Sequence, residues 1–185
     1  MVNKRLMVCL RGVGGKGKSA SIKALAVLIL SKNPRAKVKF YRPEQPKAWY
    51  SKDEFLDLLE EINKWPPNER DICIRINTTD GYRKHIGLNS GGDDSYEIRK
   101  YLSRLANNEE DGNCDIIFCA SRTRAPTTVA VEKIANKKEN GYTLIWTAPY
   151  ADNTPVQNNP TKFQVELHKL KAKHLMDFVE LRRVL

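Results

Sequence analysis

The sequence predicts an α/β protein of a single domain: a mostly parallel sheet flanked by helices, with an inserted β-hairpin and a C-terminal helix. Short apolar runs suited to buried strands alternate with segments whose apolar residues recur every three or four positions. The first of these runs passes through a glycine-rich loop straight into a helix of that kind. A chain of 185 residues builds one such core and is too short for two ordinary domains.

Leu6-Met7-Val8-Cys9-Leu10 is continuously apolar, as a strand buried on both faces must be. After the glycine loop, Ile22, Leu25, Ala26, Ile29 and Leu30 define a helix that starts at Lys18 and stops before Pro34. Val38, Phe40 and Tyr41 predict a second strand, and the prolines of Arg42-Pro43-Glu44-Gln45-Pro46 break it. Ser51-Lys52-Asp53-Glu54 reads as a capping box opening a helix with Phe55, Leu58, Leu59 and Ile62 on one face, ended by Pro66-Pro67. Ile72, Ile74 and Ile76 alternate with Cys73, Arg75 and Asn77, and Asp80-Gly81 turns the chain toward Ile86 and Leu88. Residues from about 71 to 89 therefore form the inserted hairpin.

Ile98, Tyr101, Leu102 and Leu105 then mark a helix from about Ser95, and Ile116 to Cys119 a buried strand. A helix around Val129 to Ala135 and a strand from Tyr142 to Trp146 complete the 1–150 domain. Such alternation places a ligand crevice at the carboxyl ends of the strands. Residues 151–161 are polar and proline-broken, a loop. Residues 162–185 form an amphipathic helix packed on the same domain, or a basic helix docking a partner. Its apolar side is Phe163, Leu167, Leu170, Phe178, Leu181 and Leu185; Lys169, Lys171, Lys173, Arg182 and Arg183 supply charge.

Hydrophobic residues at 41% and charged residues at 29% exclude collagen-like, disulfide-scaffold and disordered chains. Lys and Arg number 32 against 22 Asp and Glu, a net charge of +10 that favours anionic partners: a nucleotide, a nucleic acid or an acidic protein. The apolar run after Lys4 and Arg5 is shorter than the roughly 7–15 residues of an export signal. Ala24 to Leu30 falls far below the roughly 20 residues that span a bilayer, so a soluble, cytoplasmic protein with no membrane contact is expected. Cys9, Cys73, Cys114 and Cys119 share no metal-ligand spacing and read as reduced core thiols. His85, His168 and His174 show no zinc pattern, and no G-x-S-x-G motif supports a hydrolytic nucleophile.

Residues 12–19, Gly-Val-Gly-Gly-Lys-Gly-Lys-Ser, fit G-x-x-x-x-G-K-[ST], and here the sequence resembles the P-loop NTPases. The glycines let the backbone curl so that successive N–H groups face phosphate oxygens at a helix amino terminus. The resemblance implies that Gly12, Val13, Gly14, Gly15, Lys16, Gly17, Lys18, Ser19 and Ala20 hold the phosphates of ATP or GTP. It further implies that Lys18 stabilises charge on the transferred group and that Ser19 binds Mg²⁺. The branch of partitioning proteins and nitrogenase iron proteins carries a lysine directly after the first glycine; Val13 stands there in this chain, and Lys16 sits elsewhere in the loop.

The family also implies an acid for the metal or for water. Asp93 is the first candidate, following His85-Ile86-Gly87-Leu88-Asn89-Ser90 and a Gly-Gly pair; Asp80 is the rival, and Asp94 reads as a helix cap. Asp115 precedes its strand and falls at the wrong end of a parallel sheet. Arg122 and Arg124 follow a strand at the functional end, where they would grip a γ-phosphate, an acidic substrate or a nucleic-acid backbone; Thr127 or Thr128 would cap the next helix. Asn89 and Ser90 either orient a nucleophile or are ordinary strand-end polar residues, and Trp49 and Tyr50 either stack a base or pack at a helix start.

Three functions are compatible with these residues. A Mg²⁺-dependent NTPase comes first, with ATP ahead of GTP because the N-K-x-D guanine signature is absent. A small-molecule or nucleoside kinase, with Arg122 and Arg124 on the acceptor or γ-phosphate, comes second. A nucleotide-switched regulator that binds nucleic acid or protein comes third.

Overall fold

The apolar runs of the sequence assemble as one six-stranded sheet in the order β2-β3-β4-β5-β1-β6. In chain order the elements are β1 (Arg5–Arg11), α1 (Lys18–Lys32), β2 (Lys37–Arg42), α2 (Lys52–Lys64), β3 (Cys73–Asn77), β4 (His85–Asn89), α3 (Ser95–Ala106), β5 (Ile116–Ser121), α4 (Ala125–Ala135), β6 (Tyr142–Thr147) and α5 (Lys162–Leu181). The computed structural model describes residues 5–45, 48–66, 69–79, 84–107, 110–150 and 161–181. The expected turn at Asp80-Gly81, the 151–160 connection and residues 182–185 lie outside the described residues.

β1 lies between β5 and β6 and is parallel to both, and β4 is parallel to β5. β3 runs antiparallel to β4, with Asn77 opposite His85 and Cys73 opposite Asn89, which is the pairing an inserted hairpin requires. β2 is antiparallel to β3 and lies at the edge. Strand direction therefore brings the end of β1, the end of β4, the end of β5 and the beginning of β3 to one edge of the sheet.

Side-chain alternation divides the core in two. Val8, Leu10, Ile74, Ile76, Leu88 and Phe118 face α1, α2 and α5, while Met7, Cys9, Cys73, Ile117 and Cys119 face α3 and α4. On α1, Ile22, Leu25, Ile29 and Leu30 are each fully buried, worth about 1.5–3 kcal/mol apiece. α2 opens with the expected capping box: Ser51 N–H donates to Glu54 Oε2 at 2.7 Å, and Ser51 Oγ accepts from Glu54 N–H at 3.4 Å. Asp94 caps α3, accepting from the N–H groups of Tyr96 and Glu97.

Two expectations need correction. α4 starts at Ala125 with Arg124 at the N-cap, because Pro126 fits the first turn. The Thr127 hydroxyl therefore lies inside the helix and turns back toward the carbonyls of Arg124 and Arg122, at 2.9 and 3.2 Å, instead of capping. On α5 the buried face is Lys171, Ala172, Leu175, Met176 and Val179, whereas Phe163 and Leu170 are 62% and 54% exposed. Small Ala172 lets α5 sit close on α1, and Lys171, counted above among the residues that supply charge, is buried and donates to Thr147 Oγ1 at 2.7 Å. Arg75 stands in β3 between Ile74 and Ile76. It is fully buried and donates to Asn77 Oδ1 and to the carbonyls of Asp111 and Gly112, tying the segment before β5 across the sheet face. Among the described residues no helix is long and apolar enough to cross a membrane.

Candidate functional site

Where β1 ends, Gly12 N–H donates to Ser121 O at 3.1 Å, holding the start of the glycine loop against the end of β5. The loop then turns through Gly15 and Gly17, whose φ angles of 70° and 76° lie in the left-handed region. Gly17 is the N-cap of α1 and offers no side-chain cap, so the helix amino terminus opens into the loop. Space as well as φ forbids a side chain at Gly17: a Cβ there would stand 2.2 Å from Nε2 of His168 on α5.

Lys18 is 6% exposed, and its Nζ donates to the carbonyls of Gly12 and Val13 at 2.9 and 2.8 Å. Burial lowers its proton affinity; Asp93 and Asp71 pull it back up, and Arg122 works with burial. The next residue, Ser19, has one hydroxyl proton and two acceptors in reach, Asp71 Oδ1 at 3.0 Å and Ser90 O at 2.9 Å. Ser90 Oγ donates to the same Asp71 oxygen at 3.0 Å and accepts from Ile72 N–H at 2.8 Å. Thus Asp71 Oδ1 accepts from Ser90 Oγ and lies within reach of the Ser19 hydroxyl.

Gly15 through Ala20 on one side, and Asp71, Ser90, Gly92 and Asp93 on the other, enclose a cleft of about 200 Å³. Gly92 permits this: a Cβ there would come within 2.5 Å of the Ala120 backbone. Asp93 Oδ2 accepts from Arg122 Nη2 at 2.6 Å, and this bond from Arg122 holds the Asp93 carboxyl below its ordinary range.

The expected residues divide cleanly. Gly15, Lys16, Gly17, Lys18, Ser19, Ala20, Ser90 and Asp93 line the cleft, and Arg122 is bonded to its rim. Gly12, Val13 and Gly14 form the near half of the loop. Arg124 is exposed, stands at the N-cap of α4 and does not line the cleft. Asn89 is buried and donates to Gly91 O, a local structural bond. Asp115 Oδ2 accepts from His85 N–H at the opposite edge, as its position before β5 requires. The rival acid Asp80 lies outside the described residues. Tyr50 is buried against Phe40, and Trp49 sits under Lys39 beside β2, which β3, β4 and β5 separate from β1. All four cysteines are buried and unpaired, and among the described residues no cluster of three or more His, Cys, Asp or Glu side chains is arranged to hold a metal.

Asp71 and His168 were not anticipated. A signal for Asp71 existed: in a hairpin whose second strand is parallel to the sheet, the first strand begins at the functional edge. Nothing comparable in the sequence brings His168 to Gly17, since that contact depends on how α5 docks against α1.

The donors that face the cleft are an alcohol and carboxylates, hard oxygen ligands suited to Mg²⁺, which takes few protein ligands when phosphates supply the rest. Ser19, Asp71 and Asp93 are the residues with which that chemistry fits. The chain matches no family of known proteins, no curated protein and no solved structure.

Proposed function

We propose that the protein is a P-loop-type nucleotide-binding protein that takes ATP with Mg²⁺ and hydrolyses it slowly in the absence of a partner. The observation that carries this reading is the pair of bonds from Lys18 Nζ to Gly12 O and Val13 O. A nearly buried ammonium turned onto the carbonyls of its own glycine loop has its charge only partly compensated. A phosphate arriving at the mouth of the loop would supply the missing negative charge.

The loop N–H groups and the open amino terminus of α1 would receive the phosphate chain, and Lys18 would stabilise charge that builds on the terminal group. Ser19 and Asp93 would hold Mg²⁺, which when bound neutralises phosphate charge and aligns the terminal group for attack. Asp71, beside the hydroxyls of Ser19 and Ser90, would orient a water and accept its proton. The absent guanine signature favours ATP.

Calorimetric titration with ATP, GTP and non-hydrolysable analogues, with and without Mg²⁺, tests the reading. Magnesium-dependent binding that Lys18→Ala weakens by about 100-fold or more is expected. Wild-type affinity in Lys18→Ala, or no nucleotide binding by the native protein, overturns it. The kinase alternative forecasts ADP formation that depends on an added hydroxyl acceptor, measurable in the same samples.

A further inference from the structure

Arg122 touches the glycine loop and an acid of the cleft at once. Its Nη2 donates to Asp93 Oδ2 at 2.6 Å, and a Cβ built on Gly14 would stand 3.4 Å from that same nitrogen. The guanidinium therefore lies against the near half of the loop, beside the carbonyls that hold Lys18. Its Nε is shut away from solvent and finds no acceptor among the described residues. The backbone on either side is anchored: Arg122 N–H donates to Gly92 O, and Arg122 O accepts from the hydroxyls of Ser121 and Thr127. With its backbone held in this way, a new partner for the guanidinium requires a change in the side-chain torsions alone.

This is a half-used fork. A guanidinium offers parallel N–H donors from Nε and one Nη to two oxygens of one anion. Asp93 occupies the Nη2 arm, while Nε is left with the cost of an unmade hydrogen bond. A phosphate, with oxygens set at the spacing of the fork, satisfies both arms. In a loop of this kind the lysine reaches the second and third phosphates, so the group nearest Gly14 and Lys18 is the terminal one.

Resting on the nucleotide reading above, we propose that Arg122 is the residue that distinguishes a nucleoside triphosphate from a diphosphate. Asp93 is its partner in the nucleotide-free protein. The terminal phosphate takes Arg122 from Asp93, filling Nε and Nη2 together, and the released carboxylate turns to the cleft. A diphosphate lacks the group that reaches Gly14 and leaves the Arg122–Asp93 pair closed.

The test uses the full chain, titrated with a non-hydrolysable ATP analogue and with ADP. In Arg122→Gln the ratio of triphosphate to diphosphate affinity should fall by about tenfold or more. Arg122→Lys, which keeps the charge and loses the fork, should recover only part of that ratio. Asp93→Asn, measured without Mg²⁺ so that metal binding does not contribute, should raise the ratio, since the competing carboxylate is gone. If both nucleotides bind and Arg122→Gln leaves the ratio unchanged, the role of Arg122 is overturned and the nucleotide reading stands. If the native protein binds neither nucleotide, both are overturned.

Discussion

Ser19 and Asp71, 52 positions apart in the chain, meet with the serine hydroxyl 3.0 Å from Asp71 Oδ1. They meet because β3 is antiparallel to β4 and so begins at the edge where β1 runs into the glycine loop. The second residue of α1 and the last residue but one before β3 thereby form one unit, which Ser90 completes from the end of β4.

Asp71→Asn should reduce Mg²⁺-dependent phosphate release by about 100-fold, the lower range for loss of a general base, with a much smaller change in nucleotide affinity. The amide keeps an oxygen for Ser19 and Ser90, so packing is preserved while the charge is lost. Turnover at saturating nucleotide, beside affinity from calorimetry, separates the two effects. Full turnover in Asp71→Asn together with its loss in Asp93→Asn would transfer the role to Asp93.

Much of the scaffold was legible because local rules agreed with one another. The capping box at Ser51, the Asp94 cap and the alternation of isoleucines in β3 each have a mechanism that acts within a few residues. The glycine loop was legible for the same reason. What escaped depends on contacts between distant segments. Phe163 and Leu170 continue an apolar stripe along α5, yet Ala172 and Leu175 are the residues that meet the core, because close approach to α1 selects the flatter face. The bonds of Arg75 likewise depend on a distant segment, the one that carries Asp111 and Gly112.

Gly17→Ala should destabilise the protein by about 2–4 kcal/mol, from left-handed backbone strain and from pressure on the His168 ring. Adding His168→Ala should return the steric share and leave about 1–2 kcal/mol of backbone cost. Denaturant unfolding of the two single variants and the double variant reads the coupling. Strict additivity would show that the ring gives way freely.

Arg75→Met should cost about 1–3 kcal/mol, although methionine fills a similar volume. Asn77 Oδ1 and the carbonyls of Asp111 and Gly112 lose one shared donor while Arg75's own site stays buried, so the loss is one-sided. Chemical denaturation measures the stability, and amide exchange at residues 110–114 should rise before that of β5. A variant as stable as the native chain would mean that water or a lysine replaces the guanidinium.

Lys23 supplies the clearest pH dependence. Its ammonium donates to Asn63 Oδ1 at 2.8 Å, and burial pulls its pKa from 10.5 down to about 8, against the opposing pull of Asp71 and with help from Arg70. Below pH 8 both folded and unfolded chains hold the proton, so the cost of the half-buried charge is present in full. Between about 8 and 10.5 the unfolded chain retains a proton that the folded protein has released, and stability attributable to Lys23 rises with pH. The buried thiols of Cys73 and Cys114 act in the other direction. Burial raises their pKa, so above pH 9 the unfolded chain loses those protons first and folding is disfavoured. The total curve mixes the two trends, and the difference between native protein and Lys23→Met isolates the first. Lys23→Met should be more stable at pH 7 by about 1–2 kcal/mol, after allowing for screening at a half-buried site, and this advantage should shrink as pH approaches 10.5. Unfolding free energies at pH 7, 8, 9 and 10 check it: an advantage that does not change with pH would mean that Lys23 keeps its proton when folded and that methionine stabilises through packing alone.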